Sequence, residues 1–248
     1  MIQKTLKKGA LLLLILILIA LWAVFVRAPH GVAVLAYHSI SDEPFTDSEN
    51  LFVRPAELEK QISLLSRLGY KFVFASEADP SLQEKQVCIT LDDGYKDNLT
   101  GLLPILEKYG AKATIFVATK NLGMNEFFLS ENDIKTLSES GLVEIGSHTD
   151  GHYLAKNLTD TEFEQQLSLS KKRLEEMTGK PVTTFSYPGG SFDSSKSALA
   201  AKYYEKSFTF NGTLELFRTG SRLSEIPRIT VNRGTPPLRL LLCIVRAR

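Results

Sequence analysis

Two rhythms of apolar and polar residues alternate along this chain. Short apolar runs, VAVLAYHSI (32–40), KFVFA (71–75), QVCITLDD (86–93), KATIFVA (112–118) and VEIGSH (143–148), read as buried strands. Polar residues interrupt them too rarely for either side to face water. Between the runs lie segments with helical spacing. RPAELEKQISLLSRLGY places Leu58, Ile62, Leu65 and Leu68 on one face and closes on Gly69. NLTGLLPILEKYG ends on Gly110, another helix is expected around SENDIKTLSESG, and TDTEFEQQLSLSKKRLEEMTG opens on a Thr/Asp cap. TTFSYPGG, KSFTFNG and IPRITVN complete the strands.

Strands separated by such helices predict βαβ units and a parallel sheet. Seven or eight strands in about 200 residues suit closure better than an open sheet. The expectation is an α/β fold, a distorted (β/α) barrel of about seven strands. The tail PPLRLLLCIVRAR has Leu238, Leu241, Leu242 and Val245 on one helical face. It reads as a last helix covering the barrel, with a basic amphipathic membrane contact as the alternative.

One apolar stretch is too long for a strand. Residues 10–26 carry no charge and follow Lys4, Lys7 and Lys8. As a helix at ~1.5 Å per residue they would just span a bilayer core. The lysines predict a cytoplasmic tail (1–9), a transmembrane signal-anchor (10–26), a short linker (27–31) and an extracellular domain (32–248). The competing reading is a cleaved signal peptide, which leaves a secreted protein. Val26-Arg27-Ala28 followed by Pro29 is a poor cleavage site and favours the anchor. The linker, which holds His30, reaches at most about 17 Å, so the domain is expected against the membrane.

Charge and cysteine content add little. The net charge is +1, and the first 27 residues hold four basic side chains and no acidic one, leaving 25 basic against 28 acidic beyond. Nothing in that balance suggests a nucleic-acid surface. Cys88 and Cys243 lie far apart, so Cys88 is expected as a buried thiol rather than half of a disulfide.

The candidate chemistry sits at strand ends. In a parallel barrel these converge on one face, where function resides. Asp92 and Asp93 end one strand, His148 ends another with His152 four residues on, and His38 follows a third. One carboxylate and two imidazoles suit a catalytic divalent metal, most simply zinc. The second carboxylate then stays free as a base.

These residues resemble those of the NodB-homology polysaccharide deacetylases, carbohydrate esterase family 4. TLDDG (90–94) is similar to that family's TFDDG motif and SHTDGH (147–152) to its H-[ST]-x-x-H motif. LAYHSI (35–40), FSYPGG (185–190) and EIPRITVNRGT (225–235) resemble the circularly permuted, exported poly-β-1,6-N-acetylglucosamine deacetylases of biofilm formation. The resemblance implies a metal-dependent N-deacetylase. Asp93, His148 and His152 would bind the metal, Asp92 would take a proton from the water on it, and His38 would protonate the departing amine. A backbone N–H after Pro188, at Gly189 beside Tyr187, would border the oxyanion and substrate. Ser186 and Gly189 stand where the family's third motif carries Arg and Tyr/Phe, so Arg228 becomes the candidate to orient Asp92.

The implied substrate is an N-acetylglucosamine-containing exopolysaccharide, with peptidoglycan or chitin oligomers as alternatives and an export machinery as a possible partner. Three rivals stand beside this reading, one of them a membrane-tethered interaction domain, which leaves the strand-end motifs as coincidence. A degenerate relative would bind polysaccharide without hydrolysing it, though base, ligands and acid are all present. A phosphoryl-transfer enzyme would want a glycine-rich phosphate loop, which the chain does not show. NLT at Asn98 and Asn157 and NGT at Asn211 read as chance glycosylation matches.

Overall fold

The computed structural model describes residues 31–43, 51–210, 212 and 214–247. The expected basic tail, the span at 10–26 and His30 lie outside the described residues. Among the described residues, no helix is long and apolar enough to cross a membrane.

The chain opens with β1 (Ala33–Tyr37) and β2 (Ser39–Ile40), the latter paired with β3 (Phe52–Val53) in a small parallel ladder. Next come α1 (Pro55–Arg67), β4 (Lys71–Phe72), β5 (Gln86–Leu91), a π-turn at Asn98–Leu102 leading into α2 (Leu103–Tyr109), and β6 (Ala113–Val117). They are followed by α3 (Glu131–Glu139), β7 (Val143–Ser147), α4 (Asp160–Thr178), β8 (Thr184–Ser186), α5 (Ser194–Tyr203) and β9 (Lys206–Thr209). β10 (Ile226–Pro227), β11 (Ile229–Thr230) and α6 (Pro237–Arg246) end the chain. The expected cap of α4 is present: Thr159 Oγ1 accepts from Glu162 N, and the Glu162 carboxylate accepts in turn from Thr159 N.

All strand pairs in the main sheet are parallel, in the order β10-β9-β8-β7-β6-β5-β1-β11, with β4 also against β5. The sheet is a nearly closed barrel. Its two edges are joined by one segment, residues 226–230: Ile226 and Pro227 pair with Phe208 and Thr209, while Ile229 and Thr230 pair with Leu35 and Ala36. Arg228 sits at the break between the two pairings.

Strand alternation sorts the side chains. Leu35, Ile89, Leu91, Ile115, Ile145 and Phe185 pack outward with the helices, among them Leu58, Leu106, Ile134 and Phe163. Val34, Cys88, Phe116, Phe208 and Ile226 form a second cluster that fills the barrel. Cys88 is a buried free thiol, as expected, and Cys243 is also free. Gly146 lies on the inward side of β7, where an added Cβ would come 2.5 Å from the Phe116 ring and 2.8 Å from Thr184 Oγ1. Gly146→Ala should therefore cost about 1–3 kcal/mol through overpacking, read as a lower urea midpoint with an unchanged slope.

Two expectations need correction. The run KFVFA pairs only at Lys71 and Phe72, after which the chain bends and Ala75 N donates to Thr114 Oγ1. α6 does cover the barrel, but on Leu240, Leu241 and Ile244. Leu238 and Leu242 instead face solvent, at 69% and 49% exposure. Tertiary packing, not the helical stripe alone, chose the buried face.

Candidate active site

The strand alternation that fills the barrel also aims its chemistry. Cys88, Thr90 and Asp92 share the inward face of β5 and its continuation, so the carboxylate of Asp92 hangs over the barrel interior. Asp92 is 1% exposed and lies against Arg228, which is equally buried. The guanidinium forks onto it, Nη1 to Oδ1 at 2.8 Å and Nη2 to Oδ2 at 2.7 Å. The same two nitrogens donate to Thr90 Oγ1 (3.1 Å) and Ser186 Oγ (2.7 Å), and Ser186 Oγ donates on to Asp92 Oδ2 at 3.3 Å. Burial acts to raise the Asp92 pKa, but Arg228, with His148 and His38, holds it below the ordinary carboxylate range. Arg228 thus reaches Asp92 from the segment that joins the sheet edges. Ser186, at the position where the third motif would place an arginine, is its partner.

Asp93 points away from this pair and toward two imidazoles. Its Oδ1 lies 3.0 Å from His152 Nε2 and 3.5 Å from His148 Nε2. The His148 ring is set by Nδ1, 2.7 Å from Ser186 O, which fixes Nδ1–H as the donor and frees Nε2 to face Asp93. Despite the two nearby nitrogens, Asp93 Oδ1 is buried without a well-directed hydrogen bond. Nitrogen and oxygen lone pairs therefore converge on common space rather than on one another. Asp93, His148 and His152 offer ligand atoms within 4.8 Å of each other, a group that could hold a metal ion. Burial opposes ionisation of Asp93, yet the neighbouring imidazoles of His148 and His152 keep its pKa well below the usual value. His152 is shifted up, chiefly by Asp93.

The local backbone is strained where these ligands meet. Among the described residues, the non-glycine positive φ values fall at Asp93 (74°), Thr149 (67°) and His152 (56°). Each such conformation costs about 1–3 kcal/mol and persists only where surrounding contacts impose it. Gly94, at φ 78°, completes the first turn, and Thr149 Oγ1 accepts from His152 N at 3.0 Å in the second.

His38 follows β1 on the same rim. Burial lowers its pKa, while Asp92 and Asp93 oppose that shift. Gly189 lies in the Pro188–Gly190 turn at φ 60°, and a Cβ there would stand 2.7 Å from Leu154 Cδ2. Leu154 thus occupies the space that a larger residue at 189 would need. Tyr187 does not border the site. The alternation that turns Ser186 inward turns Tyr187 outward, where it is fully buried, its N–H donating to Phe208 O and its hydroxyl to Ser224 O. Thr90, the first residue of the TLDDG motif, joined the site in a role the sequence did not assign, and Leu154 had no signal beyond its place two residues after His152.

A parallel barrel with an Arg-held carboxylate beside an Asp-His-His group defines a class. The chain belongs to the polysaccharide deacetylase family, whose model matches residues 79–205. It is 34% identical over 180 residues to YxkH of Bacillus subtilis, an alignment covering 70% of this chain and 62% of that protein's length. It is 27% identical over 201 residues to the poly-β-1,6-N-acetyl-D-glucosamine N-deacetylase of Staphylococcus aureus, covering 74% of this chain and 69% of the relative. Among solved structures, a polysaccharide deacetylase from Bacillus cereus superposes with a TM-score of 0.78 at 29% identity, over 86% of this chain and 69% of that one.

Proposed function

We propose that this protein removes N-acetyl groups from an N-acetylglucosamine-containing exopolysaccharide, poly-β-1,6-N-acetylglucosamine in the first instance, with zinc at Asp93, His148 and His152. The observation that carries this reading is the division of labour between adjacent aspartates, one facing two imidazoles and the other gripped by Arg228. The donor set, two imidazoles and a carboxylate whose buried Oδ1 lacks a directed bond, fits zinc. When bound, the ion would supply Lewis acidity to the acetyl carbonyl and to water.

The protein's own residues do the rest. Asp92 is held ionised and aimed by Arg228 and Ser186, and accepts a proton from the attacking water. As the C–N bond breaks, the departing nitrogen takes a proton from His38, so acetate and a free amine result. Burial lowers the pKa of His38, which strengthens the imidazolium as an acid and makes it scarcer, while the facing carboxylates of Asp92 and Asp93 favour its protonation. The backbone at Gly189 faces the developing oxyanion, and Leu154 supplies the apolar wall that the third motif lacks. The uncharged stretch at 10–26 supports a single-pass membrane protein with this domain outside the cell, near a polymer export machinery.

The test is amine formation by the full chain in detergent, with zinc, from β-1,6-linked N-acetylglucosamine oligomers, chitin oligomers and peptidoglycan fragments. The expected result is chelator-sensitive turnover that is fastest on the β-1,6 oligomers. Turnover indifferent to chelation would refute the metal site, and preference for another polymer would replace the substrate. Inertness toward all three would mark a binding protein.

A further inference from the structure

We infer that Asp97 and Asn98 are positioning residues for His38, so that the stretch DDGYKDN carries base and metal ligand at one end and fixes the acid at the other. The inference rests on the deacetylase reading for what His38 does, and on geometry for how it is held.

His38 occupies the gap between β1 and β2. Among the described residues, its ring makes no hydrogen bond, so the orientation of the imidazole depends on the backbone that carries it. Beyond its strand pairings, that backbone is pinned by the stretch that begins at Asp92. Asp92 N donates to Tyr37 O at 3.1 Å and Asn98 Nδ2 to His38 O at 2.9 Å. Ile40 N donates to Asp97 Oδ1 at 2.9 Å and Ser39 Oγ to Asp97 Oδ2 at 2.5 Å. Four consecutive residues, 37 to 40, are thus held by residues 92, 97 and 98. Asn98 also donates to Asp97 Oδ1 at 3.1 Å, which braces the two holders against each other.

The local fold is shaped for this contact. Asn98, fully buried, opens the π-turn at Asn98–Leu102, a widened turn of the kind that recurs at functional sites. Gly101 in that turn approaches β2 so closely that a Cβ would lie 2.2 Å from Ile40 O. Any side chain at 101 would lift the turn off the segment that carries His38. A regular helical start would satisfy the needs of α2 alone; the π-turn, the glycine and the two polar side chains together serve the strand next door. A misplacement of about 1 Å can cost a catalytic group ~10²-fold, which is the scale at which such a brace acts.

A merely structural brace and a brace for the acid differ in one respect. Protonation of the leaving group matters for an amine and hardly at all for a nitrophenolate. The full chain with zinc is assayed on an N-acetylglucosamine oligomer and on nitrophenyl acetate, as wild type, Asp97→Ala, Asn98→Ala, Gly101→Ala and His38→Ala. Positioning predicts that the ratio of oligomer rate to ester rate falls by about 10²-fold in Asp97→Ala and by a smaller factor in the other two brace variants. It also predicts that Asp97→Ala adds little to His38→Ala. Equal losses on both substrates, or fully multiplicative losses with His38→Ala, would overturn the inference. An independent readout is the His38 ring signal in NMR spectra of selectively labelled protein. It should shift or broaden in the brace variants while His148 and His152 keep theirs, and an unmoved His38 signal would equally overturn the inference. If the wild type hydrolyses neither substrate, the deacetylase reading fails on its own, and the ring signal still decides whether Asp97 and Asn98 hold His38. Should Asp97→Ala not fold, Asp97→Asn, which keeps an acceptor for Ile40 N, carries the same comparison.

Discussion

Asp92→Asn is expected to lower acetate release by about 10²–10⁴-fold, the usual contribution of a positioned general base. The amide preserves the shape of the side chain and removes its ability to take a proton. It also presents an NH₂ group to an Arg228 nitrogen that now donates to a carboxylate oxygen. The variant will therefore be less stable as well as slow, and thermal unfolding must be measured beside the rate. Zinc affinity, read by calorimetry, should change little, because Asp93 and both histidines are untouched. Turnover within a factor of a few of wild type would remove Asp92 from the chemistry and leave its pairing with Arg228 a structural ion pair.

Arg228→Met should have the largest effect on stability. Removing one partner of a fully buried ion pair leaves the other uncompensated and costs about 3–5 kcal/mol. The sign of its pH dependence follows from Asp92. In the wild type the carboxyl is held below its ordinary pKa, so its contribution is present above the unfolded value near 3.9 and is lost as pH falls through the folded one. Without Arg228 the largest remaining influence is burial, which raises the pKa. The folded variant then prefers the protonated acid and loses stability as pH rises. The gap between variant and wild type should be wider at pH 7 than at pH 4 in urea titrations. The acidic limb of the rate profile should move to higher pH for the same reason. A gap independent of pH would show that Asp92 does not sense the arginine.

Much of this arrangement was legible in the sequence because the carriers are strand ends. Apolar runs located β1, β5 and β7, and the residue after each run, His38, Asp92 or His148, falls on the open rim by the geometry of parallel strands. Arg228 was legible only through the family resemblance, whose third motif carries an arginine where this chain has Ser186. Tyr187 stands in a motif that suggests the site, but its parity decides its place: one step along β8 turns a side chain from the interior to the helix layer. Leu154 and Asp97 could not be read at all. Their roles depend on contacts between segments 35 and more residues apart, Leu154 with Gly189 and Asp97 with Ser39 and Ile40, which no local pattern encodes.

The segment at 226–230 has a bearing on how the protein comes to be active. Its partners Leu35 and Phe208 lie at opposite ends of the domain sequence, so its pairing with β1 closes nearly the whole domain into one loop and is expected to form late. The arginine that tames Asp92 arrives with it. A newly made chain, or one whose final seam has briefly opened, holds a buried acid with no counterion and an unaimed base. Competence should therefore switch on late in maturation, and gentle heating should silence turnover before the helices melt.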